Sequence, residues 1–310
     1  MLRQLLLFLS CVSQLAATDA KILICGCAQN IEGYLEYTIR NIETLAQHFT
    51  DYTIIIYENN STDLTPYILQ NWADTNPHVF LISEEIPKSQ LATARTERIA
   101  DARNNILKAA QQFPDFDYLI MADLDFSCDW PIAAILSTID SETDWDCVSA
   151  NGIDTHGCYV DKYALRSETY PLGPELLGFE WWQNCKNLHF TIPDNEWMPV
   201  YSAFGGLAIY KTSSLKECAY SGSTTPQLKE FYRRILTHMD RQHPHWIQYA
   251  SRVKMNPQYP IPIIFTYNTS WEHASNHLLV TCCEHVGLHA AMHAKGKTKF
   301  YINPQLVMRY

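Results

Sequence analysis

Short apolar runs that alternate with stretches of helical periodicity restrict this chain more than any other feature. Lys21-Ile22-Leu23-Ile24-Cys25, Tyr52 to Tyr57 and Val79 to Ile82 are strand-type runs. Between the first two, Ile31 to Phe49 carries Tyr34, Leu35, Ile39, Ile42 and Leu45 at helical spacing. Leu64 to Trp72 predicts a second helix, capped by Thr62 or Asp63. A chain that returns through a helix after each strand lays its strands side by side in the same direction. The pattern therefore predicts an α/β fold with a Rossmann-type, mostly parallel sheet flanked by helices.

The next unit ends in chemistry. A long helix over about Ala92 to Gln112 carries Arg95, Arg98 and Arg103 and is closed by Pro114. The strand Phe116 to Ala122 then runs into Asp123-Leu124-Asp125, and Trp130-Pro131 opens another helix. Side chains alternate along an extended backbone, so Asp123 and Asp125 project to one side while Leu124 turns into the core. Open α/β sheets place their ligand crevice at the carboxyl ends of the strands. Two hard carboxylates there suit Mg²⁺ or Mn²⁺, with diphosphate oxygens and water completing the shell. A solvated strand end that needs no metal is the alternative. From about Cys147 onward the pattern is less regular. Short strands are expected at Cys147 to Ala150 and Leu207 to Tyr210, and a largely helical stretch from Pro226 to Arg252.

Composition bounds the function classes. The 310 residues are 47% hydrophobic and 18% charged, without a low-complexity linker, which excludes a disordered or collagen-like chain and favours one domain. A formal charge of −10 argues against nucleic-acid and anionic-membrane partners, which require clustered Lys and Arg. Local arginines or a bound cation can still reverse the field inside one cleft. Residues 1–20 read as a cleaved signal peptide: Arg3 precedes the apolar run Leu5 to Leu9, and the small residues Ala16 and Ala17 follow. That run is far shorter than the roughly 20 residues of a membrane span, and no later segment is apolar enough, so no integral membrane segment is expected in the mature chain. An extracytoplasmic location follows, in the secretory-pathway lumen, the periplasm or the medium. Ten cysteines fit an oxidising compartment in which some pair as disulfides. Cys25-x-Cys27 and Cys282-Cys283 with His285 lack the C-x-x-C spacing of structural zinc modules.

The order of three segments carries a family likeness. Tyr57-Glu58-Asn59-Asn60-Ser61-Thr62-Asp63 comes first, then Arg95 through Ala102-Arg103-Asn104, then Tyr118 through Asp123-Leu124-Asp125. Together these resemble nucleotide-sugar-dependent glycosyltransferases of the GT-A fold, nearest to the fungal mannosyltransferase-like and capsule-associated groups. Phe204-Gly205-Gly206-Leu207-Ala208-Ile209-Tyr210 and Cys283-Glu284-His285-Val286 look like the acceptor-side and carboxyl-terminal motifs of such enzymes. The likeness spans about residues 21–305 and implies a nucleotide-binding part over about 21–150. An irregular acceptor-side part that supplies a carboxyl-terminal metal ligand follows over about 151–310.

By that resemblance Asp123 and Asp125 hold a Mn²⁺ or Mg²⁺ ion that bridges the donor's phosphates, and His285, or His289 one helical turn on, completes the protein ligands; a satisfied structural histidine is the alternative for either. Arg95 and Arg103 reach the phosphates as planar forks. Glu58 contacts the base or ribose, with Ala28, Gln29 and Asn30 at the same crevice edge. Gly205 and Gly206 allow close approach to the donor sugar, for which a plain turn is the alternative. Deprotonation of an acceptor hydroxyl requires a base, for which Glu180, Asp194 and Glu196 are candidates in the aromatic region Phe179 to Trp197; ordinary solvated acids are the competing reading. Trp181, Trp182 and Trp197 offer faces to a sugar ring or pack in the core. The expected activity is metal-dependent transfer of a hexosyl unit, with mannose from GDP-mannose favoured, to a glycan, glycoprotein or glycolipid acceptor. A secreted carbohydrate-binding protein without turnover and a nucleotidyltransferase or phosphohydrolase are the competing classes.

Overall fold

A computed structural model of the chain describes residues 18–178, 189–254, 261–266, 268–269 and 278–310. The expected leader therefore lies outside the described residues except at its end, because the first strand starts at Thr18. In chain order the elements are β1 (Thr18–Ala28), a 3₁₀ turn (Glu32–Tyr34), α1 (Leu35–Ala46), β2 (Phe49–Asn59), α2 (Thr65–Thr75) and β3 (Val79–Glu84). They continue with α3 (Arg95–Ala110), β4 (Tyr118–Asp123), α4 (Ile132–Ile139), β5 (Cys147–Ile153), α5 (Pro174–Leu177), β6 (Met198–Val200), β7 (Leu207–Lys211) and α6 (Thr212–Leu215). The last are α7 (Pro226–His238), α8 (Pro244–Val253), the two-residue pair β8 (Asn268–Thr269) and β9 (Leu278–Leu279), α9 (Glu284–Ala294) and β10 (Phe300–Arg309).

Eight strands form one sheet in the order β3-β2-β1-β4-β7-β5-β10-β6. β3, β2, β1 and β4 run parallel, β7 is antiparallel to both neighbours, β5 and β10 are parallel, and β6 closes the edge antiparallel. The mostly parallel α/β class read from the sequence is the class observed. Both faces are covered, which is why the strands read as continuous apolar runs instead of alternating ones. Leu23, Cys25, Leu119 and Met121 face one core with Ile106 of α3 and Val286 of α9. Ile22, Ile24, Ile120 and Ala122 face the other core with Leu35 and Ile42 of α1 and Ile135 of α4.

Several boundaries differ from the sequence reading. The expected helix over Pro226 to Arg252 is broken into α7 and α8. His243 ends the interruption, its ring accepting the His245 backbone N–H at 3.0 Å, and Pro244 starts the new helix because its missing N–H has no acceptor to lose there. β10 was not expected. Pro304 lies inside it, and the register with β5 shifts between Asn303 and Val307, so the apolar alternation is interrupted where a proline is tolerated. Neither Thr62 nor Asp63 is the cap residue of α2, which is Leu64; Asp63 instead accepts the Thr65 N–H from just outside the helix, at 3.0 Å. All eight described cysteines are free thiols, so the expected disulfide pairing is not found among them.

Candidate active site

β4 delivers Asp123 to the carboxyl edge of the sheet, where its backbone N–H donates to the Gly206 carbonyl at 2.9 Å. Gly205 and Gly206 have φ of +66° and +90°, and an added Cβ would lie 2.2 Å from the Ala150 carbonyl oxygen and 2.6 Å from the Phe126 ring respectively. Only glycine fits this close approach of two backbones. Leu124 turns into the core at 2% exposure, and its carbonyl accepts the Thr38 hydroxyl of α1 at 2.6 Å. Asn41 of α1 ties down the following loop through the Cys128 carbonyl and the Trp130 N–H. Asp125 is exposed just beyond the strand.

These two aspartates line a cleft of about 390 Å³ together with Cys27, Ala28 and Gln29 at the end of β1, Asn59 at the end of β2, and Arg95, Arg98 and Arg103 of α3. The lining carries both signs of charge. Arg95 and Arg98 stand one turn apart on α3; burial, then Arg95, lowers the Arg98 pKa. Arg98 also donates to the carbonyls of Ala92 and Thr93, both at 3.0 Å, which fixes the entry of the helix. At the end of β4, burial pushes the Asp123 carboxyl up to about 7. Arg103 opposes that shift, while Asp125, Asp161 and Glu284 add to it.

Arg103 is buried and does not present a free fork to the cleft. One guanidinium nitrogen donates to Asp123 Oδ1 at 2.9 Å and another to Glu284 at the start of α9. The Phe204 and Tyr220 rings sandwich it, with centroids 4.9 and 5.7 Å from the guanidinium carbon. His285 is 2% exposed and stacks on Phe204 at 3.7 Å. Neither of its ring nitrogens has a hydrogen-bond partner among the described residues, and Nε2 lies 3.8 Å from Glu284 Oε1. Burial, then Arg103 and His289, hold its pKa well below the usual value, so it is neutral. It belongs to the packing behind Arg103 and does not line the cleft with the aspartates. His289 is further inside: Nδ1 pairs with the Ser202 hydroxyl at 2.8 Å and Nε2 with the Tyr210 hydroxyl at 3.1 Å. Both of its nitrogens are thus engaged inside the protein, and it is not among the cleft-lining residues.

The other expected site residues separate in the same way. Glu58 is buried and accepts the Ser61 N–H at 3.0 Å and the Ser83 hydroxyl at 2.5 Å, so it organises the loop after β2 and makes no cleft wall. Asn30, at φ +53°, joins the first two loops: its N–H donates to Ser61 Oγ, and its Oδ1 accepts the Thr62 N–H. Gly205 and Gly206 support Asp123 from behind. Asp194 and Glu196 are exposed and are not among the cleft residues. Glu180, Trp181 and Trp182 lie outside the described residues, and Trp197 packs on Tyr301. Sequence reasoning missed Arg98 as a wall residue, although its spacing from Arg95 signalled it, and it missed Glu284, whose signal was its place beside His285. Asp161 was missed without any local signal; its Oδ2 accepts the Gly205 N–H at 2.9 Å.

The profile of the family described as glycosyl transferase family 2 matches residues 24–218. The chain belongs to that family. The matched residues run from the middle of β1 through β7 and include the aspartate-bearing edge of the cleft, whereas Glu284, His285 and β10 lie beyond the match. Solved structures similar to this family 2 chain include S. aureus TarS 1–349, at 14% identity and a TM-score of 0.40 over 71% of this chain and 55% of that one. A mannosyltransferase from Pyrobaculum calidifontis, solved with GDP-Man and Mn²⁺, is similar at 14% identity and a TM-score of 0.40, over 77% of this chain and 66% of that one. Glucosyl-3-phosphoglycerate synthase from Mycobacterium tuberculosis, solved with Mn²⁺, uridine diphosphate and phosphoglyceric acid, is similar at 16% identity and 0.39, over 72% and 66%. The chain thus spans little more than half of the TarS fragment. No curated protein matches it.

The family 2 cleft fits a hard divalent cation on its own chemistry. Burial and three neighbouring carboxylates raise the Asp123 pKa in spite of Arg103, and a cation bound there would offset both effects. Among the described residues, no hydrogen bond or ion pair engages Asp125. An oxygen-only donor pair at an open mouth, with room for phosphate oxygens, is the arrangement that Mn²⁺ or Mg²⁺ takes.

Proposed function

We propose that this chain is a metal-dependent hexosyltransferase that uses a nucleoside-diphosphate sugar and a glycan, glycoprotein or glycolipid acceptor. The observation that carries the proposal is one cleft lined by Arg95 and Arg98 together with Asp123 and Asp125. A diphosphate needs cationic partners on its outer oxygens, and a divalent ion bridging it needs carboxylates; the lining supplies both. In this reading Asp123 and Asp125 hold Mn²⁺, or Mg²⁺. When bound, the ion supplies neutralisation of the charge that grows on the departing diphosphate. Arg95 and Arg98 draw in the phosphates. Gln29, whose side-chain amide donates to the Asn59 carbonyl at 3.0 Å, and Asn59 itself shape the nucleoside side. Arg103 acts through Asp123: its fixed fork, anchored on Glu284, holds the carboxylate in one orientation. GDP-mannose is the donor that the sequence resemblance favours, and the proposed location is extracytoplasmic: the secretory-pathway lumen, the periplasm or the medium. No helix of the described residues is long and apolar enough to cross a membrane.

A panel of GDP- and UDP-sugars incubated with Mn²⁺ and oligosaccharide acceptors tests this by mass spectrometry. The proposal expects an acceptor heavier by one hexose, with nucleoside diphosphate released in equal amount and no product in chelator. Phosphate release that ignores the acceptor would support a phosphohydrolase instead. Glycan binding without donor consumption would support a lectin.

A further inference from the structure

Far from the aspartate doublet in chemical character, the turn after β5 gathers a carboxylate, a thiol and an imidazole. Asp154 follows the end of β5, and the turn closes with the Asp154 N–H donating to the Cys158 carbonyl and the Gly157 N–H donating to the Asp154 carbonyl, both at 3.0 Å. Gly157 makes this possible at φ +77°. Asp154 Oδ1 accepts the backbone N–H groups of His156 and Cys158 at 2.8 and 2.9 Å. The carboxylate is thereby fixed, and Oδ2 remains for another partner. The segment carrying His189 is held alongside, since the Tyr159 N–H donates to the Phe190 carbonyl at 2.9 Å and their rings lie 5.5 Å apart.

One ligand atom each from Asp154, Cys158 and His189 lie within 4.8 Å of one another. The thiol of Cys158 is free and half-buried, and His189 is exposed. A fourth donor is near: His156 Nδ1 is 4.0 Å from Asp154 Oδ2, on a side chain that is 81% exposed and so free to swing. We propose that Asp154, His156, Cys158 and His189 bind one zinc ion, which clasps the turn after β5 to the segment at His189. The donor set decides the metal. Thiolate and imidazole select zinc over the hard cations suited to Asp123 and Asp125. Bond lengths of about 2.0 to 2.3 Å place tetrahedral ligand atoms roughly 3.3 to 3.8 Å apart, so the three atoms close in by about an ångström through side-chain rotation. Cys158 binds as thiolate, and its proton goes to solvent.

Cobalt(II) is the probe, because a thiolate bound to it gives a near-ultraviolet charge-transfer band that oxygen ligands do not. The full chain, stripped with chelator, is titrated with Co²⁺ and then Zn²⁺. The expected result is a band that saturates at one Co²⁺ per chain and is displaced by one equivalent of Zn²⁺. It is lost in Cys158→Ser, weakened at least about tenfold in affinity in His189→Ala, and unchanged in Asp125→Ala. Because Cys27 lines the other cleft, a band that survives in Cys158→Ser but disappears in Asp125→Ala would assign the thiolate there and overturn the proposal. So would absence of the band in the wild-type chain, or peptide mapping that finds Cys158 in a disulfide. Equal melting temperatures of metal-free wild type and Cys158→Ser show that a lost band reports a lost ligand and not a lost fold.

Discussion

At the scale of single residues, the two aspartates of the doublet differ in what their removal does. Asp125 is exposed and makes no hydrogen bond or ion pair among the described residues, so Asp125→Ala should leave metal-free stability within about 0.5 kcal/mol of wild type. The cleft should lose Mn²⁺-dependent nucleotide binding in the same variant. Arg103→Met is the opposite case. It strands Glu284 in the core beside a second carboxylate, and urea denaturation should show a loss of about 3–5 kcal/mol. Asp123 and Asp125 were legible in the sequence because a buried strand alternates its faces and Leu124 fixes the phase. Glu284 was visible only as a neighbour of His285, because its role comes from Arg103, 181 positions earlier in the chain. The surroundings of His289 were hidden for a related reason. Helical spacing from His285 placed it on the right face of α9, but periodicity carries no information about Ser202 and Tyr210, which take both of its nitrogens.

At the scale of elements, the site depends on how β7 is delivered against β4. Gly206→Ala would put a methyl group into the Phe126 ring in a left-handed conformation, at an expected cost of about 1–3 kcal/mol. Since the Gly206 carbonyl holds the Asp123 N–H, metal affinity should fall together with stability; thermal melts with and without Mn²⁺ separate the two effects. A plain surface turn would show neither. The strands β1 to β4 and their helices could be read directly, since each is a buried run followed by an amphipathic one. β10 could not, because a proline and a register shift hide its alternation. The α7–α8 break, by contrast, was signalled by the polar run Asp240 to His243 and by Pro244, which the reading of one continuous helix passed over.

At the scale of the whole molecule, one sheet joins the nucleotide-side strands β1 to β4 to β5, β7, β10 and β6, so acid stability is a property of the entire fold. Burial first, then His243 and Arg166, lowers His245 to about 3; burial, then His293, lowers His289 to about 3; and burial lowers His293 to about 4. Unfolded histidines titrate near 6.5, so the unfolded chain binds more protons between those values. The contribution of these neutral side chains is complete above about pH 6.5 and is lost as pH falls toward the folded values, by up to about 1.4 kcal/mol per pH unit for each histidine. Urea midpoints measured from pH 7 to 5 should fall accordingly, and less steeply in His289→Gln; a flat profile would contradict the burial seen here. The central claim remains the bridging of a diphosphate between the arginines and aspartates that line the cleft. Thermal unfolding with GDP and with UDP, in Mn²⁺ and in chelator, on wild type and Asp125→Ala, tests it most directly. At nucleotide about a hundredfold above its dissociation constant, one of the two should stabilise the wild type by about 2.7 kcal/mol in Mn²⁺ alone, and neither should stabilise Asp125→Ala. An equal shift in chelator, or in the variant, would contradict the account.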